Sequence, residues 1–167
     1  MGIANDLLLD AFGRVREGVH DVVDGLSEED LTARPDGKGN SIAWLVWHLT
    51  RVADDHLADA AGTEQLWTSA GWVDRFRLPF DVYATGYGHS SEEVDAVRAS
   101  GEMLAGYHDA VHEQALGYVR ELGDGDFARI VDERWDPPVT LAVRLVSVVD
   151  DMTKHLGQAE YVRGLLG

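Results

Sequence analysis

Apolar residues recur at three- and four-residue steps in four long segments of the chain, the period of a helix that buries one face. The clearest runs from Val139 to Leu166, where Leu141, Leu145, Val148, Met152, Ala159, Val162 and Leu166 form one stripe. Near the other end, Leu8, Ala11, Phe12, Val15, Val19 and Val22 predict a first helix that stops at Gly25, where a left-handed cap is easy. Ser27 with Asp30 is a capping-box pattern and opens a short turn over LSEEDLTA. Asn40 or Ser41 caps a second long helix with the stripe Ile42, Leu45, Leu49 and Val52. Ser90 with Glu93 opens a third, through Val94, Val97, Leu104, Tyr107, Val111 and Val119 to Gly123.

Two stretches lack the period. Residues 62–89 carry Trp67, Trp72, Phe76, Phe80, Tyr83 and Tyr87 among glycines and Pro79. A loop of that length is either a satellite core pinned under a crossover or the wall of a site. The stretch GDGDFARIVDERWDPPVT, residues 123–140, forms a second irregular connection, with Pro137 and Pro138 just before the last helix. No alternating strand pattern, internal repeat, phosphate-binding glycine loop or GxSxG elbow is present. The expectation is an all-α fold, a four-helix bundle with long crossover loops, built as one domain over residues 1–167.

Charge narrows the partners. With 30 acidic residues against 14 Lys and Arg, the chain carries a formal charge of -16, so a phosphate backbone would be repelled by nearly every face. Nucleic acid is excluded on that ground. No run approaches the roughly 18 apolar residues of a membrane span, and the first residues lack a basic head followed by a long apolar stretch. A cytoplasmic, membrane-free protein is expected. Cysteine is absent, so thiol chemistry would need a sulfur from outside.

Candidate chemistry sits inside the last stripe. Asp151 and His155 are four residues apart and rise from one side of the helix among Val148, Met152 and Ala159. An ionisable pair at the edge of an apolar stripe needs compensation, by a metal ion or by a structural ion pair, and the spacing leaves both open. His20 with Asp24, His89 with Glu93, and His108 with His112 share the spacing but fall at a helix end, a helix start and what looks like a helix border. His48 lies beside Trp44, Leu45 and Val52 on the second helix and is expected to be at least half buried; His56 reads as a polar flank near Asp54 and Asp55. Bundles place metals between inward side chains of facing helices, so His48 can meet Asp151 and His155. Two imidazoles and one carboxylate leave coordination positions open, as in catalytic zinc sites or the facial triad of iron enzymes.

At these residues the chain resembles a known family. The segment NSIAWLVWHLTRVADDHL, with its W-x-x-W-H-L core at Trp44, Trp47, His48 and Leu49, and the D-x-x-x-H-L-G-Q run from Asp151 to Gln158 are similar to the DinB/YfiT-like metal-dependent bundle superfamily. ATGYG, DERWDPPVT and HLGQAEYVRGL resemble its mycothiol-dependent branch most. The resemblance implies a divalent metal on His48, Asp151 and His155, usually zinc, with iron or nickel as alternatives. Many members have His or Glu where this chain has Asp151. It also implies mycothiol as co-substrate, its sulfur attacking a small electrophile in a detoxifying transfer, and a homodimer as assembly. Arg144, N-terminal of Asp151 on the same stripe, is then the candidate to hold an anionic group of thiol or substrate, unless it merely pairs with an acid. Tyr83, Tyr87 and Trp135 are candidates for the pocket wall. Metal-assisted hydrolysis or isomerisation, and a non-catalytic stress or binding protein, remain alternatives for the same site.

Overall fold

A computed structural model describes residues 2–166. Four long helices make the bundle: α1 (Ile3–Val23), α3 (Ile42–Ala61), α7 (Gly101–Glu121) and α8 (Leu141–Leu165). α3 packs on α8 and α7, while α1 packs on α7 and α8, so the order around the bundle is α1, α7, α3, α8. Their stripes supply the core, with Val19, Leu45, Leu49, Leu104, Leu141, Leu145 and Ala159 at 0–1% exposure. Short helices decorate the connections: α2 (Glu28–Thr32), α4 (Leu66–Ser69), α5 (Trp72–Phe76) and α6 (Ser91–Ala96). Among the described residues, no helix is long and apolar enough to cross a membrane.

The caps explain where the helices start. Ser41 accepts a hydrogen bond from the Trp44 amide at 3.1 Å and opens α3. Ser27 and Asp30 close the expected capping box on α2. Gly25 follows α1 with φ at 70°, in the left-handed region. The third helix differs from expectation. The Ser90–Glu93 box forms, but it opens only the six-residue α6, and Val97 is extended before Ser100 caps the long α7 through the Met103 amide at 3.2 Å. Val94, Val97 and Leu104 are all buried, so the apolar period runs across the break without revealing it.

A second difference lies before α8. Val139 belongs to a strand rather than to the helix: β1 (Ile130–Asp132) pairs antiparallel with β2 (Val139–Thr140), and Thr140 then caps α8. Strands of two and three residues are too short to show alternation. The remaining differences concern polar residues. Asp54, two residues before the expected polar flank at His56, is fully buried; it accepts the Leu66 and Trp67 amides at 2.9 and 2.7 Å and the Tyr107 hydroxyl at 2.7 Å. His108 and His112, expected at a helix border, are buried at 2% and 6% exposure on the inner side of α7.

The aromatic stretch 62–89 divides in two. Trp67, Trp72 and Phe76 pack around Tyr107 with ring centroids 5.3–5.9 Å away, which makes a satellite core. Residues 84–89 instead turn back over α3 and reach the site.

Candidate metal centre

α3 and α8 lie side by side, and this brings His48 to Asp151 and His155, about 100 positions further along the chain. His48, Asp151 and His155 each offer a ligand atom, and these atoms lie within 4.8 Å of one another. The two imidazole rings meet edge to face, with centroids 4.5 Å apart.

Each ring is oriented by a backbone carbonyl. His48 Nδ1 lies 2.5 Å from the Thr85 carbonyl oxygen, and His155 Nδ1 lies 2.8 Å from the Asp151 carbonyl oxygen. A carbonyl can only accept, so both Nδ1 atoms carry the proton and both Nε2 atoms keep a free lone pair. This is the outer-shell arrangement of metal-binding histidines. Trp44 stacks on the His48 ring at 4.5 Å and 14°, and its edge meets His155 at 6.3 Å.

Asp151 completes the group. Its Oδ2 lies 3.3 Å from His155 Nδ1, but that N–H is committed to the carbonyl, and Oδ2 is buried without a hydrogen-bond partner. An orphaned carboxylate oxygen close to two imidazoles that keep a free lone pair each fits a divalent cation. The protonation tendencies of the two rings diverge. Burial pushes the His48 pKa down, whereas the Asp151 carboxylate raises that of His155 against a smaller opposing effect of burial.

The loop over His48 is held by buried polar ties. Arg51, fully buried on α3, donates from Nε to the Ala84 carbonyl at 3.1 Å, next to the Thr85 carbonyl that orients His48. Gly86 has φ at 95°, and a Cβ there would stand 2.7 Å from His48 Nδ1 and 3.0 Å from the Trp47 ring. Only glycine lets the loop approach so closely. His89 also belongs to this neighbourhood, accepting from Trp44 Nε1 at 3.2 Å and packing on Trp47 and Phe80. The sequence signal for these partners was the ATGYG stretch, whose glycine positions carry the close approach.

The other sequence candidates separate. Tyr83 and Tyr87 are 67% and 92% exposed, and it is the backbone between them that reaches the site. Trp135 lines a groove together with Arg144, His56 and Asp132. Arg144 is buried and paired: Nη1 donates to Asp59 Oδ2 at 2.8 Å, and Nη2 lies 3.7 Å from Asp132 Oδ2. His56 is half-buried in that groove, with its pKa lowered by burial and by Arg144. Position alone did not suggest it, because its neighbours in sequence are acids.

Comparison with known proteins identifies the fold and the family. The solved structure of a conserved protein from Enterococcus faecalis superposes with a TM-score of 0.90 at 28% identity, over 98% of this chain and 96% of that one. No curated protein matches the sequence. The family model described as mycothiol-S-transferase matches residues 7–167, nearly the whole chain, and the protein therefore belongs to the mycothiol S-transferase family.

Proposed function

We propose that the protein is a metal-dependent transferase that joins the sulfur of a low-molecular-weight thiol, mycothiol, to small electrophiles in a detoxifying reaction. The observation that carries this reading is the convergence of His48, Asp151 and His155 beside an open groove in a chain without cysteine. These three side chains would hold a divalent ion. Zinc suits the two-imidazole, one-carboxylate set best, and iron or nickel is accepted by the same donors. When bound, the ion supplies the Lewis acidity that lowers the pKa of a thiol.

The chain's own contribution is preorganisation. The Thr85 and Asp151 carbonyls hold the two Nδ1 protons so that the Nε2 lone pairs stay free, and Trp44 fixes the His48 ring by stacking. The groove running away from Asp151 accommodates the remainder of the thiol. In the transfer, a sulfur–carbon bond forms, the electrophile's leaving group or epoxide oxygen takes the displaced electron pair, and the thiol proton is released to water. A cytoplasmic setting, where small thiols stay reduced, suits this chemistry, and a homodimer is the assembly the family resemblance implies.

The test is conjugation of a chlorobimane or an epoxide by protein of measured metal content, with mycothiol, with glutathione and with no thiol. Turnover is expected with mycothiol and is abolished in His155→Ala, whose circular dichroism stays that of a helical bundle. Equal rates in all three mixtures would replace the transferase with a hydrolase. Absence of turnover across a broad panel of electrophiles would leave a binding protein.

A further inference from the structure

We propose that the groove beside the metal ligands selects a hydrogen-bond-donating ligand without anionic groups, and that Asp59 and Asp132 set this selectivity by occupying Arg144. For the identity of the ligand the inference rests on the thiol-transfer reading; its charge argument stands on the groove alone.

A groove of about 420 Å3 lies between α3, the β1–β2 ribbon and α8. His56 and Ser147 also line a cleft of about 170 Å3 that ends on Asp151. A ligand anchored at Asp151 therefore extends into the groove. Among the described residues, its one buried cation is Arg144, at 6% exposure, the residue that an anionic group would be expected to seek. That guanidinium is already engaged, by Asp59 at 2.8 Å, by the His56 carbonyl at 3.4 Å and by Asp132 at 3.7 Å. Arg134 is engaged as well, donating from Nε and Nη2 to the Asp132 carboxylate at 2.9 and 2.8 Å.

An incoming anion would thus have to displace an acid from Arg144 while facing Asp55, Asp59 and Asp132, in a chain of net charge -16. Hydroxyl and amide N–H groups meet no such opposition. Each carboxylate oxygen has more than one lone pair, so the acids that hold the arginines can still accept from a ligand. Trp135, 66% exposed at the rim, adds a flat apolar face for the carbon skeleton of a polar ligand.

Asp59 is the residue to change, because its side chain is 61% exposed and its substitution leaves the core intact. Two measurements on wild type, Asp59→Asn and Asp59→Lys test the proposal, with helicity checked by circular dichroism. In the first, zinc-loaded protein is titrated calorimetrically with mycothiol, whose body is uncharged, and with glutathione, which brings carboxylates. In the second, metal-free protein is titrated with inorganic phosphate while the Trp135 indole N–H is followed by NMR. Wild type should prefer mycothiol and show no saturable phosphate shift. Asp59→Lys should acquire phosphate binding at the groove and tighten glutathione binding by about threefold to tenfold, with Asp59→Asn between. Phosphate binding to wild type as tightly as to Asp59→Lys, or glutathione binding alike in all three proteins, would overturn the proposal. The phosphate measurement needs neither metal nor thiol, so it can succeed in a protein that transfers nothing. Conversely, mycothiol transfer with unchanged anion binding across the series would retain the transferase and remove this inference.

Discussion

Two helices of the bundle carry a histidine in an i, i+4 pair near the core, Asp151–His155 on α8 and His108–His112 on α7, yet their chemistry differs. On the α3–α8 seam, His48 and His155 donate Nδ1 protons to carbonyls and keep their Nε2 lone pairs free, beside an Asp151 oxygen without a hydrogen-bond partner. Inside α7, the Thr50 hydroxyl donates to the Val46 carbonyl at 2.8 Å, so His108 Nδ1 must donate to Thr50 Oγ1 at 3.1 Å. His108 Nε2 and His112 Nδ1 are then left without partners, and no carboxylate converges on them: Asp109 turns outward to Arg16 at 2.7 Å and His20 at 2.8 Å. Among the described residues, only the seam gathers three metal-ligating side chains. Spacing puts two side chains on one face; a carboxylate within the pair and a third ligand from the facing helix make a candidate cation site, and without them burial simply keeps the imidazole neutral. Accordingly, burial lowers the His108 pKa to about 3.

The sharpest way to break this contrast is to remove ligands on each side. Replacing His48, Asp151 or His155 by Ala should weaken zinc or cobalt binding by more than about 100-fold, beyond what outer-shell changes do. His108→Ala and His112→Ala should keep the ion. Metal analysis after dialysis decides, and loss of the ion from the α7 variants would mean that the wrong helix was assigned.

Acid should separate the regions next. His108 holds a folded pKa of about 3 against 6.5 for the free side chain, so between those values the unfolded chain binds the extra proton. Stability is therefore complete above pH 6.5 and declines as pH falls toward 3, by roughly 1 kcal/mol per pH unit from this group. Urea unfolding of metal-free protein from pH 7.5 to 4.5 should show that slope, and His108→Leu should flatten it. An unchanged slope would mean that His108 reaches water.

A smaller effect tests the outer shell of the seam. Gly86→Ala places a methyl group against His48 and should displace the Thr85 carbonyl, weakening metal binding by about 10- to 100-fold while the helical spectrum persists. The equivalent change around His108, Thr50→Val, should leave metal binding untouched. Competition with a chromophoric chelator measures both.

The smallest effect belongs to the rim of the α7 region. His20 and Asp109 pair at 2.8 Å with side chains 42% and 34% exposed, and His20→Ala should alter thermal stability by less than about 1 kcal/mol. A larger loss would show that this pair couples inward to His108.

Much of this was readable from residues alone, because burial of a helix face imposes a period that survives in the sequence. The stripes marked four helices, the Ser27–Asp30 box marked the short α2, Ser41 was one of two candidate caps for α3, and the resemblance singled out His48, Asp151 and His155 together. The break at Val97–Ser100 was not readable, since both sides of it stay buried and keep the same phase. Nor was the ribbon, where a few residues pair with partners across a loop.

What the sequence determined, then, was which faces are apolar and which side chains share them, both consequences of local geometry. What only the tertiary structure decided was pairing across elements. It gave Arg144 to Asp59 rather than to a ligand, turned His108 inward and Asp109 outward, and laid the Thr85 carbonyl on His48. Each of these depends on which helix or loop lies opposite, and a one-dimensional pattern of polar and apolar residues does not encode the electrostatic partner that a buried charge or imidazole will meet across a packed interface.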